Sequence, residues 1–140
     1  MSYLLDTCVV SEPTKPRPSA AVLAWLRSVD PDALHVSVIT IGELERGIER
    51  LPDGARRRAL RGWLEQLRGE ATSRLLPVTD AVATEWGRLM AAAERRGAVL
   101  PVMDALIGAT AIVHGLTVVT RNTSDIGRTG AAMLDPWHGA

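Results

Sequence analysis

At 140 residues the chain is long enough for one domain with a true core and too short for two comfortable ones. Its 46% apolar content excludes intrinsic disorder, and 16 basic against 16 acidic side chains leave no net charge to draw in a polyanion. Cys8 is the only cysteine, which excludes an intrachain disulfide and fits a reducing, cytoplasmic setting. The first residues carry no signal-peptide pattern, and no apolar run has the length needed to cross a bilayer.

In chain order, Tyr3-Leu4-Leu5 opens a short strand ending at Asp6-Thr7, with Val9-Val10 resuming the apolar character. Pro13, Pro16 and Pro18 mark a loop. Ser19 is placed to cap a helix whose apolar face is Val22, Trp25 and Leu26. After Asp30-Pro31-Asp32, Leu34 to Ile39 reads as a second strand. Thr40-Ile41-Gly42-Glu43 has the spacing of a capping box, predicting a helix to about Leu51. A further helix carries Leu60, Trp63, Leu64 and Leu67. Its Arg56, Arg57, Arg58 and Arg61 read as a solvated face, with contact to phosphate as the sharper alternative. Leu75 to Val78 is a brief strand, placed at an edge by Pro77. Asp80 stands as cap of a long helix buried along Val82, Trp86, Leu89, Met90 and Ala93 and closed at Gly97.

The stretch from Pro101 to Asp125 is the organising unit. Ala105 to Val113 is apolar on nearly every side, the mark of a buried helix. His114-Gly115 ends it, and Leu116 to Thr120 follows as a β-branched strand buried on both faces. Met133 to Trp137 predicts a last short strand. Alternating strands and helices predict a single α/β domain over residues 1–140, a central and mostly parallel sheet flanked by helices.

Three carboxylates, Asp6, Glu43 and Asp125, fall where such sheets bind ligands, beyond the carboxyl ends of strands, and Asp104 joins them if its helix begins at that edge. Asp6 ends the first strand, Glu43 follows the second, Asp104 starts the buried helix and Asp125 follows a later strand. Each has an ordinary explanation: turn residue, capping partner, helix-terminal charge, loop acid. Together they form an acidic set that repels itself without a cation. Oxygen-only ligands select hard ions such as Mg²⁺ or Mn²⁺, whose chemistry with water and phosphate is phosphodiester hydrolysis. No Gly-rich phosphate loop appears, and Cys8 has no nearby base to make it a nucleophile.

Leu4-Leu5-Asp6-Thr7, Glu43-Leu44-x-x-Gly47, the Asp104 helix and Thr120-Arg121-Asn122-x-x-Asp125 resemble, in this order, the motifs of the PIN domain. The closing Leu134-Asp135-Pro136-Trp137 makes the chain similar to the VapC-type toxins of bacterial toxin–antitoxin pairs, in the FitB-like branch. The resemblance implies a PIN-like fold and a Mg²⁺- or Mn²⁺-dependent ribonuclease with Asp6, Glu43, Asp104 and Asp125 as catalytic and metal-binding residues. It assigns Thr120 a supporting place. It also implies an RNA substrate, homodimerisation and a cognate antitoxin that blocks the site, with DNA bound only through that antitoxin. Cys8 stands where the family often has Asn, and Ile126 where an aromatic is common. A silent PIN-like module that binds metal or nucleic acid is the competing reading. A phospho-receiver is disfavoured because the sole lysine, Lys15, lies in a proline-rich loop. A haloacid-dehalogenase-like phosphatase is disfavoured by Cys8 standing two residues after Asp6.

Overall fold

The structure is a computed structural model that describes residues 1–138. Five short strands form one sheet: β1 (Tyr3–Leu5), β2 (Leu34–Ser37), β3 (Leu75–Leu76), β4 (Thr117–Val119) and β5 (Met133–Leu134). Their order is β3-β2-β1-β4-β5, and every neighbouring pair is parallel. The mostly parallel sheet read from the sequence is therefore parallel throughout.

Strand residues alternate between the two faces, as the pleat requires. Leu5, Val36 and Val119 point into a core built with Val9, Val22, Trp25, Ile41, Leu44, Ile48 and Leu64. Leu4 and Val118 point the other way, onto Ile107, Ala111 and Ile126. The first core is supplied by α1 (Thr7–Ser11), α2 (Ala20–Ser28), α3 (Val38–Glu49) and α4 (Ala55–Glu70). The second is covered by α6 (Val102–His114) and α7 (Thr123–Gly127), and α5 (Asp80–Arg95) packs on α6 around Ala93, Leu100 and Ala105. At the α6–α7 contact Gly108 has no room for a side chain: a Cβ there would lie 2.5 Å from Thr129 Oγ1. Gly115, with φ of 66°, closes α6 in the left-handed conformation expected of it.

Several local expectations give way. β2 stops at Ser37 and not Ile39, and α3 begins at Val38 with Ser37 Oγ accepting from the Ile39 N–H at 3.0 Å. Thr40 and Glu43 thus lie inside the helix, and the capping box does not exist. Val9-Val10, which the sequence marked only as apolar, belongs to α1, capped by Asp6, whose Oδ1 accepts from the Thr7 N–H at 2.9 Å. Thr79 and not Asp80 caps α5, through its hydroxyl to the Val82 N–H. The last strand is Met133–Leu134 alone, and Pro136-Trp137 is a turn. Nor is α6 buried all round: Ala105 and Ile107 to Ala111 are enclosed, while Val102, Met103, Ile112 and Val113 are 38–48% exposed. At α3 and α5 a hydroxyl one or a few residues earlier supplied the cap in place of the group the local pattern named.

Candidate active site

The direction of chain in β1 reverses its neighbour order between β2 and β4, so a crevice opens beyond the carboxyl ends at that switch point. Asp6, leaving β1, and Thr120, leaving β4, meet across it. Thr120 Oγ1 donates to Asp6 Oδ2 at 2.8 Å, a bond between two buried residues. The same hydroxyl accepts from the Asn122 N–H at 2.9 Å. Asn122 then extends its amide Nδ2 to Asp104 at 3.3 Å and Asp125 at 3.2 Å. On the other side Thr7 donates to Glu43 Oε1 at 2.6 Å. Neutral donors therefore string four carboxylates together: Glu43 to Thr7, whose neighbour Asp6 binds Thr120, and through Asn122 to Asp104 and Asp125.

All four predicted acids lie at this one edge. α6 begins there because it runs opposite to β4, which settles the placement of Asp104. Its carboxyl is pushed above the usual range, first by burial and then by the charges of Asp6, Asp125 and Glu43. Only the Asn122 bond pulls it back. That field locates the acids near one another, yet among the described residues no three of them stand close enough to ligate one ion directly. The two observations agree on physical grounds. Mg²⁺ keeps several waters and takes one or two carboxylates directly, so a ring of mutually repelling acids spaced by hydroxyl and amide groups suits it. The donor set, carboxylate and hydroxyl oxygen with no imidazole, fits a hard cation. Cys8 lies 3.9 Å from both Asp6 Oδ2 and Thr120 Oγ1, its thiol pushed up mainly by burial, so it is a poor thiolate ligand or nucleophile.

The residues that the chemistry of acids alone does not reveal are Thr7 and Asn122. Both sit inside the short motifs around Asp6 and Asp125, but a hydroxyl or amide reads as turn chemistry until its distant partner is known. Of Arg56, Arg57, Arg58 and Arg61 in the first half of α4, Arg57 pairs with Glu49 and Asp53 at 2.8 and 2.7 Å, and Arg61 with Glu45 at 2.6 Å and with Glu49. Arg56 donates to Thr14 O at 2.9 Å. These three brace α4 against neighbouring segments, which supports the structural reading over phosphate contact.

A groove of about 350 Å³ leads away from Thr7 and Glu43, floored by Leu44, Ile48, Leu60 and Trp63. A smaller one, about 230 Å³, lies on the opposite flank of Glu43, lined by Val38, Ile39, Gly42, Arg46 and Met103.

Comparison with known proteins bears on the whole of this arrangement. The family model described as "PIN domain" matches residues 3–131. The chain belongs to the PIN-domain family. This PIN domain is 37% identical over 136 residues to Toxin FitB of Neisseria gonorrhoeae, covering 96% of this chain and 98% of that one. It is 37% identical to VapC ribonuclease Y4jK of Sinorhizobium fredii, covering 98% and 99%. Among solved structures it superposes on the one titled FitAB bound to IR36 DNA fragment, with a TM-score of 0.92 at 34% identity, over 97% of this chain and 96% of that one. No described helix of this PIN domain is long and apolar enough to cross a membrane.

Proposed function

We propose that this PIN domain is a metal-dependent endoribonuclease and the toxin of a toxin–antitoxin pair. The observation that carries the reading is the bonded carboxyl edge: Thr7, Thr120 and Asn122 bind Glu43, Asp6, Asp104 and Asp125 there, and the Asp104 carboxyl is pushed up first by burial and then by the charges of Asp6, Asp125 and Glu43. Like charges held in one crevice disfavour one another's ionised form, and a bound cation relieves that repulsion. Support also comes from the relatives, one named a toxin and another a ribonuclease, and from the metal dependence general among PIN ribonucleases.

Asp6, Glu43, Asp104 and Asp125 would hold Mg²⁺, with Mn²⁺ as its substitute. Such an ion supplies an activated water and neutralises charge on a phosphodiester. Thr120 fixes Asp6 in one rotamer, and Thr7 does the same for Glu43, so the carboxylate oxygens are oriented before any ligand arrives. Asn122 keeps Asp104 and Asp125 from turning apart.

An antitoxin would occupy the larger groove, apolar along its floor and ending on Glu43, so that a basic side chain of the partner reaches the acids. FitAB was solved bound to a DNA fragment; here DNA would be bound through the antitoxin. A second copy of the chain would cover the smaller groove and the exposed Val99, Val102 and Met103 beside it. The setting is cytoplasmic, where RNA and a reduced Cys8 coexist.

The test uses the purified chain on single-stranded and structured RNA. Cleavage with Mg²⁺ or Mn²⁺, its loss in EDTA and its collapse in Asp6→Asn and Glu43→Gln are expected. Expression without a partner should arrest growth, and Asp6→Asn should relieve the arrest. RNA left intact by folded, metal-loaded protein would support the alternative of a silent binding module.

A further inference from the structure

Arg121 sits between the two residues that tie the acids together. Thr120 before it holds Asp6, and Asn122 after it holds Asp104 and Asp125. The backbone on both sides is thereby pinned at the carboxyl edge, yet Arg121 is exposed and makes no ion pair with any of the four carboxylates. Its guanidinium carbon lies 4.4 Å from the centroid of the Trp137 ring. Trp137 is a firm support. Its backbone N–H donates to Asp135 Oδ1 at 2.9 Å, and its side chain packs on the core beside Leu134.

An arginine next to four acids would ordinarily pair with one of them. Arg128, at the far end of α7, does so with Asp125 at 3.3 Å and also donates to Val99 O at 3.1 Å. Arg121 has no ion pair among the described residues. Nor is it needed as the counterion of buried Glu12, whose field it shares. Glu12 is already matched by Lys15 at 2.9 Å and by the Ser19 N–H at 2.9 Å. Stacking uses the face of a guanidinium and leaves its N–H edge open. That edge is the part that binds phosphate oxygens in a fork. A polyanion approaching an acidic site meets repulsion, so a cation presented at the rim and kept off the acids has a clear use there.

We propose that Arg121, held on the face of Trp137, binds a backbone phosphate of the RNA at the mouth of the acidic crevice. The proposal rests on RNA being the substrate. It makes Arg121 a residue that touches substrate and Trp137 a positioning residue. The phosphate is recognised as a charge on the chain, so the contact is blind to base identity.

The experiment measures binding of a fluorescein-labelled, mixed-sequence single-stranded RNA to the intact chain by anisotropy in EDTA, over a series of NaCl concentrations. Steady-state cleavage of the same RNA is measured in Mg²⁺. Arg121→Gln should weaken binding about tenfold and flatten the dependence of log K on log salt by about 0.7, the value for one phosphate contact on a single strand. Its KM should rise with kcat little changed, as for an interaction made equally before and during the reaction. Arg121→Lys should keep the salt slope and recover part of the affinity. Trp137→Phe should behave almost as the parent, and Trp137→Leu should lose affinity with the slope retained. A mere strut between loop and tail predicts otherwise: a lower melting temperature for Arg121→Gln with affinity, slope and KM unchanged, and that result overturns the proposal, as does a parent chain that binds no RNA. A parent that binds RNA through Arg121 but never cuts it refutes the ribonuclease reading and leaves this contact standing.

Discussion

Asp104 is the residue in which the acidic site registers most directly. Its carboxyl is raised by burial and by three neighbouring charges, so the folded chain holds that proton more tightly than the unfolded chain does. Stability from this source is greatest below the ordinary carboxylate range and is lost as pH climbs through the higher value of Asp104 in the fold. Without metal, Asp104→Asn should therefore raise the melting temperature at neutral pH and flatten its decline with rising pH. Asn keeps an oxygen for the Asn122 amide, so the effect isolates charge. Adding Mg²⁺ should stabilise the parent more than the variant, because the gain follows metal affinity. Thermal unfolding against pH, in EDTA and in Mg²⁺, checks both; identical curves for the two proteins would remove Asp104 from the coupled set. The site's four acids were legible in the sequence because carboxylates at strand and helix ends are conspicuous. Thr7 and Asn122 were not, because what makes them matter is a partner 36 residues away in one case and 18 in the other.

At the scale of elements, α3 separates what a local pattern announces from what the fold selects. Thr40 and Glu43 have the spacing of a capping box, but Ser37, three residues earlier, leaves the sheet first and takes the cap. Thr40 is then fully buried, with a hydroxyl that finds no partner. Two substitutions should consequently move in opposite senses. Ser37→Ala should cost about 1 kcal/mol as a lost cap, and Thr40→Val should be neutral or stabilising, since a methyl replaces an unsatisfied hydroxyl. Chemical denaturation of both variants decides; a larger loss for Thr40→Val than for Ser37→Ala would restore the capping box. The helices were otherwise legible from their apolar spacing, as α2, α4 and α5 illustrate. Strands of two to four residues carry too little alternation to fix their ends, which is why β2, β3 and β5 all prove shorter than their sequence signal.

For the molecule as a whole, the order of the sheet came from pairing rather than pattern: nothing local tells β1 that its neighbours are β2 and β4. The exposed ends of α6 are the other feature that periodicity misread. A run apolar on every side was taken as interior, yet Val102 and Met103 stay open to solvent beside the smaller groove. In a homodimer these would be the covered residues. Met103→Glu should then shift the chain from dimer to monomer in sedimentation or size-exclusion measurements without lowering its melting temperature as a monomer. An unchanged dimer would place the interface elsewhere.

The bond from Thr120 to Asp6 joins residues 114 apart in the chain, and this separation has a consequence for the order of events during synthesis. The larger groove is complete once residues 7 to 63 have emerged from the ribosome, whereas Asp6 has neither its hydroxyl anchor nor the Asn122 bridge until β4 has followed. Non-local pairing of this kind forms late. A nascent chain halted before β4 should accordingly show no cleavage of its own, while its early half already offers an apolar surface to a partner translated nearby. Stalled ribosome complexes, assayed for RNA cleavage before and after the arrest point passes β4, would show whether the hazard of the enzyme is deferred to the end of its own translation.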